Sequence, residues 1–226
     1  MKNVLHIALD GPVAAGKGTI ASELARRLNI SYVESGAMYR AVGLIGLNDN
    51  ISLSDEKALF RAVSAHKLTI KPSKKIKGAC EIFVDGENIS DKIRSPRISA
   101  ASSQVAVHPL IRSYLVKKQR AIAKKNSVVM EGRDIGTVVL PDADVKVYLT
   151  ADIAVRAKRR LQQQKQKGII QTFKNVLQET KDRDYNDMHR KINPLKPAEG
   201  ALYLDTTNLS IDEVVEKIME KIPRQA

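Results

Sequence analysis

Nine residues near the start of the chain, Gly11-Pro12-Val13-Ala14-Ala15-Gly16-Lys17-Gly18-Thr19, have the types and spacing of a phosphate cradle. Glycines let the backbone curl until successive N–H groups point inward. A helix starting at the lysine adds its positive end, and the lysine itself brings a mobile cation to β- and γ-phosphates. The segment matches G-x-x-x-x-G-K and departs at the next position. Where a Ser or Thr would hold Mg²⁺ directly, Gly18 stands and Thr19 follows. The bland alternative is a Gly/Pro turn before a helix with an incidental lysine.

Two further segments carry chemistry. Glu34-Ser35-Gly36-Ala37-Met38-Tyr39-Arg40 and Glu131-Gly132-Arg133-Asp134-Ile135-Gly136-Thr137 each follow a short apolar run that reads as a buried strand. In an open parallel sheet, ligands bind beyond the carboxyl ends of the strands. Arg40 and Arg133 suit a phosphate there; Ser35 and Asp134 suit hydroxyl and amino groups. Taken singly, Arg40 is also a helix-surface charge and Asp134 a turn cap. Taken jointly at three strand ends, they predict one cleft for phosphorylated ligands.

The elements that must position these residues follow from hydrophobic period. Strands are predicted at 4–9, 31–33, 127–130, 145–149 and 202–204. Helices are predicted at 17–28, 37–46, 96–106, 109–125, 152–166, 171–190 and 210–221. Another is predicted to open at Ser54 as N-cap. The last helix has Ile211, Val214, Val215, Ile218 and Ile222 on its apolar face. Residues 66–93 differ: they alternate in period two around a turn at 72–78 and an Asp85-Gly86 hairpin signal. The fold class is therefore α/β, a P-loop NTPase-type parallel sheet flanked by helices, with a small antiparallel β insert and a helical lid. The expected division is a core of 1–65 and 94–226, with a lid at about 152–190, and an insert at 66–93.

Composition bounds the function classes. The chain has 226 residues, 43% hydrophobic and 28% charged, enough to bury a core. Its one cysteine, Cys80, excludes an internal disulfide and points to a reducing, cytoplasmic location. The opening residues show no signal-peptide pattern, and no apolar run approaches the roughly 20 residues of a membrane helix. The net charge is +13, which predicts a polyanionic partner. Residues 112–125 and 152–193 each contribute +6. A nucleic-acid binder would stack bases on aromatic rings, yet the chain has no Trp and only nine Phe and Tyr together. A basic solvated face is the other reading of the charge.

Five segments in order, GPVAAGKGT, ESGAMYR, SSQVAVHPLIR, EGRDIGT and KDRDYNDMHR, resemble the bacterial cytidylate kinase family of nucleoside monophosphate kinases. The resemblance spans essentially the whole chain, the 66–93 insert included, and G-K-G-T is the phosphate-loop variant of that group. It implies transfer of the γ-phosphate of ATP to CMP or dCMP, with Mg²⁺ held by phosphates and water and no direct protein ligand. Gly11, Pro12, Val13, Ala14, Ala15, Gly16, Lys17, Gly18, Thr19 and Arg159 would then bind ATP, Arg159 as the arginine of the lid. Ser103, Arg112 and Asp134 would read cytosine. Ser35, Arg40, Arg133 and Arg190 would hold the acceptor phosphate, with Arg183 and Asp187 near ribose and phosphate. Lys17, Arg133, Arg159, Arg183 and Arg190 would form the catalytic set. The implied partners are small nucleotides, not nucleic acid or membrane, with a monomer as the default. Cytosine offers an N4 donor to Ser and Asp and an O2/N3 acceptor edge to Arg, whereas uracil reverses the polarity at position 4. Departures are Glu34 and Glu131 where Asp is commoner, and Val13-Ala14 in place of a Ser/Ala-Gly pair. The rivals are another small P-loop kinase, acting on UMP or a non-nucleotide, and a nucleic-acid-binding P-loop protein.

Overall fold

The computed structural model describes residues 4–73 and 80–223. Residues 74–78 of the expected turn lie outside the described residues. The elements alternate as the hydrophobic pattern requires. Strands β1 (His6–Asp10), β2 (Ser31–Glu34), β3 (Leu68–Pro72), β4 (Cys80–Val84), β5 (Glu87–Asn88), β6 (Val128–Gly132), β7 (Val145–Thr150) and β8 (Leu202–Asp205) are interleaved with helices. The helices are α1 (Lys17–Leu28), α2 (Ser35–Asn48), α3 (Glu56–Ala65), α4 (Pro96–Val105), α5 (Pro109–Ala123), α6 (Ile153–Gln166), α7 (Phe173–His189) and α8 (Ile211–Met219). One sheet has the order β2-β6-β1-β7-β8, and β1, β7 and β8 pair in parallel. The second sheet has the order β3-β4-β5, antiparallel throughout. The chain divides into two compact units, one of Met1–Leu5 with Ala25–Met130, the other of His6–Leu24 with Glu131–Ala226.

In the first unit the apolar faces of α2, α3, α4 and α5 share a core that includes Met38, Val42, Leu59, Val63, Val105, Ile111 and Leu115. Gly43 lets α2 and α4 approach closely, because a Cβ there would stand 2.9 Å from the Ala101 Cβ. The β4–β5 turn uses Asp85 and Gly86, both at positive φ, the conformation that an Asp-Gly hairpin favours. Helix α3 is capped by Asp55, whose carboxylate accepts the Ala58 N–H at 2.9 Å, not by Ser54. Ser54 instead pairs with the Ser52 hydroxyl at 2.8 Å. The carboxylate of Asp55 is the stronger partner for the positive end of the helix.

In the second unit β1 is buried from Ile7 onward and delivers the chain to Gly11. Gly11 has φ 148°, and a Cβ there would meet the Leu149 carbonyl oxygen at 2.0 Å; only glycine fits. After β6 the chain makes one π-helical turn, Ile135–Val139, which the sequence pattern did not signal. Helix α8 opens with a capping box between Ser210 and Glu213. Val214, Val215 and Ile218 are buried as expected, but Ile211 is 49% exposed.

Candidate active site

The second unit holds the phosphate loop. Lys17 begins α1 and is 5% exposed; its Nζ donates to the Pro12 carbonyl at 2.7 Å. Burial first, and then the positive charge of Arg133, push its amine down from 10.5 to about 7, against the pull of Glu131, Asp187 and Asp10. A buried cation bonded to a neutral carbonyl gains when an anionic phosphate arrives. Asp10, the last residue of β1, accepts the N–H groups of Ile135 at 2.8 Å and Gly136 at 2.7 Å. These bonds fix the π-helical turn beside the loop. Burial outweighs them and raises the Asp10 carboxyl from 3.8 to about 6. Gly136 also packs tightly against Ala198, where a Cβ would lie 3.1 Å from the Ala198 Cβ.

Arg133, Arg183 and Arg190 are brought together around one carboxylate. Arg133 Nε donates to Asp187 Oδ2 at 2.6 Å. Burial alone would raise the Asp187 pKa; Arg133, Arg183 and Arg190 together hold it below the usual range. Arg190 also stands 3.7 Å from Asp134, with both side chains 7% exposed. The resulting centre interleaves three arginines with the carboxylates of Asp187 and Asp134, and Glu131 also acts on Arg133.

A second ion pair acts on the loop itself. Arg156 Nη1 donates to Asp184 at 2.5 Å and to the Val13 carbonyl at 3.1 Å, while the other Asp184 oxygen accepts the Val13 N–H at 3.3 Å. The pair thus grips both polar groups of Val13. The next residue, Ala14, sits at φ 58°, in the left-handed region where a glycine is at ease and an alanine is strained. The departure from glycine noted in the sequence therefore has a conformational cost, and the Arg156–Asp184 pair holds the loop against it.

Arg159 lies one helical step further. Its Nη1 donates to the Thr206 hydroxyl at 3.0 Å and its Nη2 to the Thr206 carbonyl at 2.7 Å. It lines a cavity of about 490 Å³ with Ala14, Ala15, Gly16 and Thr19 of the phosphate loop. Arg160, its neighbour in sequence, is drawn below its ordinary pKa by burial and by the charge of Arg133.

The first unit holds the other predicted site residues. Ser35 opens α2 and is 5% exposed. Arg40 pairs with Glu34, so the glutamate found where Asp is commoner reaches the arginine of its own motif. Arg112 is 2% exposed, donates to the Ala106 carbonyl at 2.9 Å and lies 5.4 Å from the centroid of the Tyr39 ring. Arg112 is thus tied to the segment that carries Ser35 and Arg40. Ser103 is half-buried on α4, one turn before Ala106.

Sequence reasoning missed Asp10, Arg156, Asp184 and Thr206. Asp10 had a signal, a carboxylate ending an apolar strand next to the first loop glycine. The other three had none: each is one polar residue among many in charge-rich helices or a terminal loop.

The metal expectation can be tested on the donor set. Among the described residues no group of three or more His, Cys, Asp or Glu is placed to hold a metal ion. Asp10, a carboxylate close enough to act on Lys17, already accepts two backbone N–H groups. Such a site fits Mg²⁺ that arrives with a nucleotide and keeps phosphate and water oxygens as its shell.

Comparison with known proteins bears on this geometry. The family model described as cytidylate kinase matches residues 7–224. The cytidylate kinase of Lactobacillus johnsonii is 45% identical over 222 residues, covering 98% of this chain and 95% of that protein. That of Caldanaerobacter subterraneus subsp. tengcongensis is 46% identical over 218 residues, covering 96% and 94%. A solved structure of an uncharacterized protein from Eubacterium ventriosum superposes with a TM-score of 0.51 at 13% identity, over 96% of this chain and 98% of that one. That last likeness supports the fold alone.

Proposed function

The chain belongs to the cytidylate kinase family, and from that premise we infer that it transfers the γ-phosphate of ATP to CMP or dCMP, giving CDP or dCDP. The observation that carries this reading is Lys17, a buried lysine bonded to a backbone carbonyl inside a glycine-bounded loop, its charge opposed by burial and by Arg133. Such an arrangement is costly without an anion and is relieved by phosphate.

The acceptor oxygen of a nucleoside monophosphate is already anionic near neutral pH, so the reaction needs no strong general base. What it needs is alignment and charge neutralisation. Lys17 exchanges the Pro12 carbonyl for phosphate oxygens of the donor. The backbone N–H groups of residues 11–19 cradle the same oxygens. Arg133, Arg183 and Arg190 absorb charge on the transferring group and the acceptor phosphate, with Asp187 holding Arg133 in place. When bound, Mg²⁺ supplies further neutralisation of the donor phosphates. The cavity beside Ala14–Gly16 takes the donor nucleoside, with Arg159 on its wall. For the acceptor, Ser35 and Arg40 of the first unit serve the phosphate and Ser103 and Arg112 the base; Asp134 and Asp187 of the second unit serve base and ribose. Residues about 152–190 act as the lid that excludes water, and 66–93 belong to the monophosphate-binding part.

A coupled assay of ATP consumption with CMP, dCMP, UMP and AMP tests the reading. CMP and dCMP should be turned over well ahead of UMP and AMP. Turnover of AMP or UMP at the level of CMP would overturn the acceptor assignment.

A further inference from the structure

Positive charge is divided unequally between the two units. The first carries twenty Lys and Arg against eight Asp and Glu, the second eighteen against seventeen. The first thus holds +12 of the net +13, although the phosphate loop, Arg133, Arg183 and Arg190 all belong to the second. Between Asp91 and Glu131 stand nine basic residues and no acid. Charge asymmetry of this size points to a polyanionic partner.

Helix α5 and its C-cap concentrate the surplus. Arg112 is buried. Lys118 is occupied: it donates to the Leu68 carbonyl at 3.2 Å, with its ammonium 4.9 Å from the centroid of the Tyr114 ring. Lys117, Arg120, Lys124 and Lys125 are exposed. The first three follow one another at i, i+3, i+7, which sets them along one stripe about 10 Å long, and Lys125 continues it past the helix end. Lys117, Lys124 and Lys125 meet no carboxylate among the described residues. Like charges at this spacing repel. The negative end of the helix offsets the cost for Lys124 and Lys125, but the dipole acts within the last turn and Lys117 lies beyond it.

The side chains around the stripe narrow the partner. The exposed positions beside it, Ser113 and Ala121, are small, and Ile111 and Leu115 are buried in the core. A helix that lies in a membrane surface turns large apolar residues outward, and α5 turns them inward. Tyr114 packs edge-on against Phe60, so it is not a platform for an unpaired base. A row of cations without base-stacking or base-reading groups matches the regular phosphates of a duplex. We propose that the stripe of Lys117, Arg120, Lys124 and Lys125 binds the phosphate backbone of duplex nucleic acid without regard to sequence, in addition to the nucleotides of the kinase reaction and independently of that reading.

The test follows the fluorescence anisotropy of short labelled DNA and RNA duplexes of unrelated sequence, with saturating CMP and ADP keeping the nucleotide site filled. The native chain should bind with a Kd of about 1–100 μM near physiological salt. Four phosphate contacts give a slope of log K against log salt of about −3.6, a loss of about a hundredfold between about 50 and 200 mM. Combining Lys117→Gln, Arg120→Gln and Lys124→Gln should bring the slope to about −0.9, and each change alone should remove about 0.9 from it. These side chains are exposed and outside the kinase site, so kcat and KM for CMP should not change. Combining Lys196→Gln, Lys217→Gln and Lys221→Gln removes the same charge from exposed positions of the second unit and should keep the native slope. Binding of either duplex in this pattern supports the proposal, and the two arms show which duplex is preferred. No binding at low salt, a slope unmoved in the stripe variants, an equal loss in the second-unit variant, or displacement of the duplex by CMP and ADP overturns it. Vesicles of phosphatidylserine and phosphatidylcholine bound more tightly than both duplexes, and released by the same stripe substitutions, would assign the stripe to a membrane and overturn it as well.

Discussion

The depressed pKa of Lys17 makes nucleotide binding a proton-uptake reaction. In the free protein the amine titrates near 7 because it is buried and faces Arg133. Polyphosphate against the amine restores its charge. At pH 8 a group of this pKa is roughly one-tenth protonated, so binding should draw in roughly 0.9 proton; at pH 6 it is already about nine-tenths protonated and uptake falls to roughly 0.1. Titration calorimetry with an ADP·Mg²⁺ complex, in two buffers of different ionisation enthalpy, counts those protons directly. Lys17→Met removes the titrating group, so the native-minus-variant difference isolates it from protons released by the nucleotide. Uptake that does not change between pH 6 and pH 8, or that survives in Lys17→Met, would refute the electrostatic account of the loop. The same shift has a sign for the stability of the free protein. Between 7 and 10.5 the unfolded chain binds the Lys17 proton and the folded chain does not, so this group makes stability rise with pH across that window. Asp10 acts oppositely: its raised pKa adds stability in full below 3.8, and that contribution is lost as pH rises through about 6.

Three other perturbations separate parts of the account. Ala14→Gly relieves a left-handed backbone and should raise unfolding stability by about 1 kcal/mol, read as a higher midpoint in thermal unfolding. Asp184→Asn leaves Arg156 buried without its counter-charge and loosens Val13; it should lose about 3 kcal/mol in denaturant unfolding and weaken ATP binding. Asp134→Ala should narrow the ratio of kcat/KM for CMP over UMP, and an unchanged ratio would remove Asp134 from base recognition.

The parts of the fold readable in the sequence were those with a strong period or a rigid chemical need. The alternation of short apolar runs with amphipathic helices placed β1, α1, α6 and α7 within a residue or two of their ends, and Asp85-Gly86 announced its hairpin. The phosphate loop was legible because only glycine fits beside the Leu149 carbonyl at Gly11. Local chemistry was read less well. Ser54 looked like a cap, but Asp55 performs the role one residue later. Ile211 fitted the apolar face of α8 by spacing, yet it opens onto a cavity. The π-helical turn at Ile135–Val139 depends on Asp10, 125 residues away in sequence from its first partner, and no window of neighbouring residues contains that information. The same holds for Arg156 and Asp184: their grip on Val13 comes from the packing of α6 on α7, which spacing alone does not reveal.

The central claim is that a phosphoryl group passes from one nucleotide to another across a cluster of cations anchored by Lys17. The most direct measurement follows a γ-phosphate radiolabel from ATP in the presence of CMP, for the native chain and for a folded Lys17→Met variant. The account predicts label in CDP for the native chain and at least about a hundredfold slower transfer in the variant. Label released as inorganic phosphate, or transfer at the native rate without the Lys17 amine, would contradict it.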